Sequence, residues 1–292
     1  MEKDKRNKIL KKIASISILI LIIILLALIS NVTDKNFEYI VDESKLQIIY
    51  FDVGQADCTL IMNNGKTTLI DGGNDSDGDN LVKYIKSQEI SRIDTVIATH
   101  LHADHIGGLD DIIDNFDIGT VYMPDTINTD KQVEELLDAM EIKDLSYEVP
   151  EIGEKFNNGL ANCEIMAINN ETKNLNNSSI VIQMNYLEQS YLFMGDSEKE
   201  IENSRDWNEV NVLKVGHHGS NTSSTERFLN QIRPQIAIIS VGLNNKYHHP
   251  STEVLNRFKN LNTAIYRTDE NGSLLLESDG KQNTIKRIKT NN

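Results

Sequence analysis

A chain of 292 residues, 39% hydrophobic and 25% charged, is long enough for one large domain or two small ones, and that balance excludes a disordered or fibrous chain. The net charge of −15 is unevenly spread: six basic residues (Lys3, Lys5, Arg6, Lys8, Lys11, Lys12) against Glu2 and Asp4 leave residues 1–12 at +4 and all that follows at −19. A body so acidic does not draw polyanions in over long range, which counts against tight nonspecific nucleic-acid binding but not against a locally basic site.

Residues 13–30 carry no charge and are dominated by Ile and Leu. A membrane-spanning helix needs about 17–25 such residues, whereas a secretory signal has an apolar core of about 7–15 and a small-residue cleavage site. Leu28-Ile29-Ser30-Asn31 is a poor site of that kind. The run is expected to be an uncleaved transmembrane signal anchor, with a cleaved signal peptide as the alternative. Its abrupt polar flanks and lack of amphipathic pattern argue against a buried core helix. The basic flank, residues 1–12, stays in the cytoplasm, so the expectation is a single-pass protein of a bacterial cell membrane with its body outside. Residues 31–43 form a polar stalk and 44–292 the body.

Within the body the periodicity changes to short apolar strands, at 46–51, 58–62 and 67–70, the last two joined by the hairpin signal Asn63-Asn64-Gly65. A helix over 81–88, a buried strand at 95–98, a helix over 106–116, a strand at 120–123 and a helix over 131–142 follow. Strands are expected at 163–168, 180–184, 191–194, 212–215 and 236–241, with helices near 225–232 and 252–259 and two or three closing strands. Hairpin strands followed by strands alternating with helices suggest two sheets with helices outside. Cys58 and Cys163 match no metal-finger spacing; they form one disulfide outside the cell or remain buried thiols.

The residues that carry chemistry cluster after strands. His100, His102, Asp104 and His105 spell H-x-H-x-D-H directly after the 95–98 strand. Imidazole and carboxylate are the usual ligands of zinc and related ions, and three of only seven histidines fall within these six positions. His100 and His102 can face one ion and Asp104 and His105 a second. Two histidine pairs, His217-His218 and His248-His249, also follow expected strands, and strand carboxyl ends are where α/β sites assemble. Asp71 and Asp196 end strands in the same way. Asp196 can bridge two metals, and Asp71 can orient a metal ligand through hydrogen bonds.

Together Asp71-Gly72-Gly73, the H-x-H-x-D-H cluster, Gly195-Asp196 and His217-His218-Gly219-Ser220 resemble the ordered motifs of the metallo-β-lactamase superfamily. More narrowly, Phe51-Asp52-Val53-Gly54-Gln55-Ala56-Asp57, Asn177-Ser178-Ser179-Ile180-Val181, Asn245-Lys246-Tyr247-His248-His249-Pro250 and Arg267-Thr268-Asp269 with Gly272 resemble the ComEC-type hydrolase domain of bacterial competence proteins. The likeness runs from Leu46 to Ile285. It implies an α/β (α+β) fold, a four-layer αββα sandwich, and a hydrolase using one or two divalent metal ions, zinc with manganese as the alternative. Carried over residue by residue, it makes His100 and His102 ligands of one metal, Asp104 and His105 ligands of the second, Asp196 the bridge and His217 the downstream ligand. His249 becomes a further ligand or a proton donor, Asp104 or Asp196 orients the attacking hydroxide, and His217, His218 or His249 protonates the leaving oxygen; spacing does not decide which of His217 and His218 is the ligand.

Two departures qualify the carry-over. The superfamily's further histidine between the first cluster and Asp196 is missing, with Asn177 and Ser178 in that region. Nor does one expected helix make the multi-helix channel of a competence importer, so DNA import by this chain alone is not implied. The substrate expected is a phosphodiester, DNA or RNA outside the cell, with a cell-surface phosphodiester such as teichoic-acid phosphocholine, a carboxylic ester or a lactam as alternatives. A non-enzymatic binding protein on the same scaffold is the rival class. No protein partner is expected.

Overall fold

The computed structural model describes residues 16–22 and 37–290. Of the expected anchor, 16–22 are helical and exposed, and the rest of 13–30 lies outside the described residues, as do 1–12 and 31–36. Among the described residues no helix is long and apolar enough to cross a membrane. One compact unit begins at Ile40, inside the segment expected as stalk. Ile40 is buried because its N–H donates to Gln88 Oε1 (2.9 Å) and its carbonyl accepts from Gln47 Nε2 (2.7 Å).

Two sheets make the body. The first runs β15-β14-β1-β2-β3-β4-β5-β6, with β1 at Leu46–Tyr50, β2 at Thr59–Asn63, β3 at Lys66–Ile70, β4 at Arg92–Ile97, β5 at Asp117–Tyr122, β6 at Tyr147–Glu148, β14 at Leu274–Ser278 and β15 at Asn283–Arg287. In the second the order is β13-β12-β11-β10-β9-β8-β7, with β7 at Lys155–Asn158, β8 at Ala161–Ala167, β9 at Val181–Tyr186, β10 at Gln189–Phe193, β11 at Val212–Lys214, β12 at Ile236–Ile239 and β13 at Ala264–Arg267. The β2–β3 hairpin closes on Asn64 and Gly65, whose φ of 48° and 71° are the paired positive values that a two-residue turn matched to strand twist requires.

Alternation along the strands builds the layers. Leu46, Ile48 and Tyr50 of β1 meet Ile165, Ile182, Tyr191 and Phe193 between the sheets. On the other face of the second sheet, Leu192, Leu213, Ala237 and Ile239 pack on Phe228, Leu229 and Ile232 of a helix at Glu226–Ile232 and on Val254 and Phe258 of one at Thr252–Asn260. The mixed α/β sandwich expected from the sequence is therefore present.

One expected helix, 106–116, begins late, at Leu109–Asn115, and a separate short helix at Ala103–Ile106 precedes it across Gly107-Gly108. The 71–75 loop is the cause: a Cβ on Gly107 would lie 2.3 Å from the Asp75 nitrogen, and one on Gly108 would lie 2.6 Å from the Gly72 oxygen. Backbone crossing backbone at this range leaves no room for a side chain.

Candidate metal centre

Strands β3 to β6 are parallel, as are β10 to β13. The loops that follow β3, β4, β10, β11 and β12 bring Asp71, His100 to His105, Asp196, His217-His218 and His249 to one place. Asp71 is buried and accepts from the Thr99 backbone N–H, from Thr99 Oγ1 and from His105 Nδ1, each at 2.8 Å. Those bonds fix the His105 tautomer and aim its Nε2 at Asp196 Oδ1, 3.3 Å away. His218 is set in the same way: its Nδ1–H donates to the Ser240 carbonyl (3.0 Å), leaving Nε2 at 3.4 Å from Asp104 Oδ2 and 3.7 Å from Asp196 Oδ2. His100 Nε2 lies 3.0 Å from His102 Nδ1 and 3.9 Å from Asp196 Oδ2.

The two histidines of the pair are placed differently. His218, expected as a proton donor, is buried in the group with Asp104, His105 and Asp196. His217, expected as the ligand, stands at the edge, 23% exposed, with Nδ1 3.2 Å from both Glu198 Oε1 and Thr222 Oγ1 and Nε2 3.8 Å from Asp196 Oδ2. The backbone explains the difference in placement. Both residues are left-handed, at φ 49° and 51°, so the turn Gly216–Gly219 points the second ring inward. Such conformations cost roughly 1–3 kcal/mol each and persist where surrounding structure holds them. His248 is exposed, while His249 lines the cavity.

Two residues were not singled out as ligands by the sequence reading. Asp57, in the Phe51–Asp57 run, is buried and binds Lys214 Nζ at 2.6 Å while facing His218 Nδ1 at 3.6 Å. Asn176, next to the expected Asn177, lines the cavity and donates to Glu198 Oε1 at 3.3 Å. The cavity, about 290 Å³, is bounded by Gln55, His102, Ala103, Asp104, Asn176, Asp196, His217, His218, Tyr247 and His249.

Charge in this cluster is tightly coupled. Burial opposes a charged His105, yet Asp196 and Asp71 outweigh it and push its pKa well above the ordinary imidazole value. For Asp196 burial also opposes charge, and His105 and His218 outweigh it, holding the carboxyl well below the usual range. Burial, then His105, pushes His100 well down. Burial, with His217 and His218, lowers His249 to about 4.

The donor set fits a divalent cation. His105 Nε2, His218 Nε2, Asp196 Oδ1 and Asp57 Oδ1 are all buried without a hydrogen-bond partner. Unmet buried polar atoms cost about 1–3 kcal/mol each, and one ion type satisfies imidazole nitrogens and carboxylate oxygens together. His100, His105 and Asp196 form one group whose donor atoms lie within 4.8 Å of one another, and Asp104, His105 and His218 form another.

Residues 51–242 match the family model described as the metallo-beta-lactamase superfamily. ComE operon protein 3 of Bacillus subtilis is 31% identical over 66% of this chain and 26% of its own length, and Recombination protein 2 of Haemophilus influenzae is 30% identical over 78% and 28%. The chain spans less than a third of the length of the curated relatives it matches. Among solved structures, the metallo-beta-lactamase fold protein YhfI of Bacillus subtilis superposes with a TM-score of 0.54, covering 80% of this chain and all of that one at 11% identity, a likeness of fold alone.

Proposed function

This chain belongs to the metallo-beta-lactamase superfamily, with ComEC-type competence proteins among its relatives, and on that footing we propose that it is a metal-dependent phosphodiesterase. The observation that carries the reading is the set of buried, unpartnered donors converging on Asp196. His100, His102, Asp104, His105, Asp196 and His218 would hold one or two divalent ions, zinc or manganese. A bound ion would supply acidified water and offset negative charge, which suits a phosphodiester better than a neutral ester or lactam.

The chain's own groups prepare the site. Asp71 and the Ser240 carbonyl hold Nδ1 of His105 and His218, so that each Nε2 faces the centre. Asp104 is one-third exposed and lines the cavity, where it can orient an attacking water. His249 lines the same cavity, where it can exchange a proton with a bound substrate. Nucleic acid is the phosphodiester we favour, because relatives carry names of recombination and competence. A cell-surface phosphodiester is the second reading, favoured by the acidic body. The apolar run at 13–30 supports attachment to the cell membrane with the body outside.

The test is hydrolysis of bis-p-nitrophenyl phosphate by the full chain with zinc or manganese added, beside His102→Ala. Metal-dependent release that the variant loses is the expected result. No release from a chain that demonstrably holds metal sinks the phosphodiester assignment and redirects attention to esters and lactams.

A further inference from the structure

Tyr247 sits on the rim of the metal-site cavity with 54% of its surface exposed. It is the one large exposed hydrophobic among the described residues that lines this cavity. So open a tyrosine adds little to the core, yet its loop is rigidly braced. The Asn245 amide donates to the Gly242 and His249 carbonyls (2.9 and 2.6 Å) and accepts from the Tyr247 and His249 N–H groups (3.2 and 3.0 Å). All four hydrogen-bonding positions of that side chain are spent on the loop. Gly242 is tied in turn to Gln55 Oε1 at 3.1 Å. The Tyr247 ring lies nearly parallel to the His249 imidazole (21°, 5.8 Å between centroids), and Lys246 Nζ stands 4.9 Å from the ring centroid. Among the described residues no carboxylate forms an ion pair with Lys246.

We propose that Tyr247 and Lys246 form a nucleotide subsite, in which an unpaired base stacks on the Tyr247 ring and the adjoining phosphate pairs with Lys246, so that the substrate is single-stranded nucleic acid. The inference rests on the phosphodiesterase reading and deepens it. A flat ring next to a cation and a metal centre matches a base with its phosphate. A quaternary ammonium headgroup fits less well, because the Lys246 cation beside the ring would repel it. Duplexes keep their bases inside the stack, so only an unpaired base reaches the tyrosine.

To test this, the full chain is titrated onto a single-stranded deoxyhexanucleotide carrying a central 2-aminopurine, its linkages phosphorothioate to slow hydrolysis. Stacking quenches the probe. Tyr247→Ala is expected to abolish the quenching and raise Kd roughly tenfold, while Tyr247→Phe keeps both. An abasic central position should weaken the wild type by a similar factor and the alanine variant hardly at all. Equal quenching and Kd in Tyr247→Ala, or tighter binding of the duplex, overturns the subsite. If the wild type binds no hexanucleotide but still hydrolyses bis-p-nitrophenyl phosphate, the subsite falls and the phosphodiesterase stands. Hexanucleotide binding without any hydrolysis of that ester upholds the subsite and removes the activity.

Discussion

His105 is held between two carboxylates, Asp71 on Nδ1 and Asp196 near Nε2. Those carboxylates push the His105 pKa well above its ordinary value despite burial, so a proton and a cation compete for this ring. The sign follows: at pH 7 the free ring is protonated, a ligand must be neutral, and metal uptake therefore releases a proton. Affinity should rise with pH until the raised pKa is passed, and the heat of binding should change with the buffer's ionisation enthalpy; a buffer-independent heat would argue against it. The histidine pair offers a second check. His218→Ala should weaken metal binding at least tenfold and His217→Ala much less, read by competition with a chelating dye, and the reverse order would make His217 the ligand. Lys214 and Asp57 form a buried ion pair, so Lys214→Met strands a carboxylate and should cost about 3–5 kcal/mol in urea unfolding. Adding Asp57→Asn should recover much of that loss. None of these distinctions was legible in the chain: H-x-H-x-D-H announces a site by spacing alone, whereas the choice between two adjacent histidines depends on two left-handed residues, and the Asp57–Lys214 pair joins the β1–β2 loop to strand β11, far apart in sequence.

Among the elements, those legible in sequence were the ones whose residues report burial. The strands at 46–50, 59–63 and 66–70 and the helix Lys131–Ile142 lie close to where apolar periodicity puts them. Missed were β6, β7 and the helix Lys199–Asn203, whose residues are mostly polar and so carry no such signal. The break at Gly107-Gly108 was hidden for a different reason, because the 71–75 loop that forces it comes from a separate element. Gly107→Ala should therefore cost about 1–3 kcal/mol in thermal or urea unfolding, since the obstructing atoms are backbone and cannot swing away. It should weaken metal binding as well, because His105 lies on the short helix that this crossing positions. Unchanged stability would mean that the 71–75 loop yields easily.

At the scale of the whole molecule, two sheets bury one core between them and a second under the outer helices. The general plan was readable from hairpins first and alternating strands and helices later, and the ordered motifs resolved it into a sandwich. Cys58 and Cys163 are both free and buried, and burial pushes the Cys163 thiol up to about 12. Neither should react with a thiol reagent at pH 8 until the body unfolds; fast labelling of the native chain would contradict the packing. Everything proposed about function depends on the donors around Asp196 being a metal centre. The most direct measurement is the metal content of the full chain after incubation with zinc and gel filtration, beside Asp196→Asn. One or two tightly held ions per chain, lost or sharply weakened in the variant, is what the arrangement predicts. A wild-type chain that retains no ion, or a variant that retains as many, would contradict it.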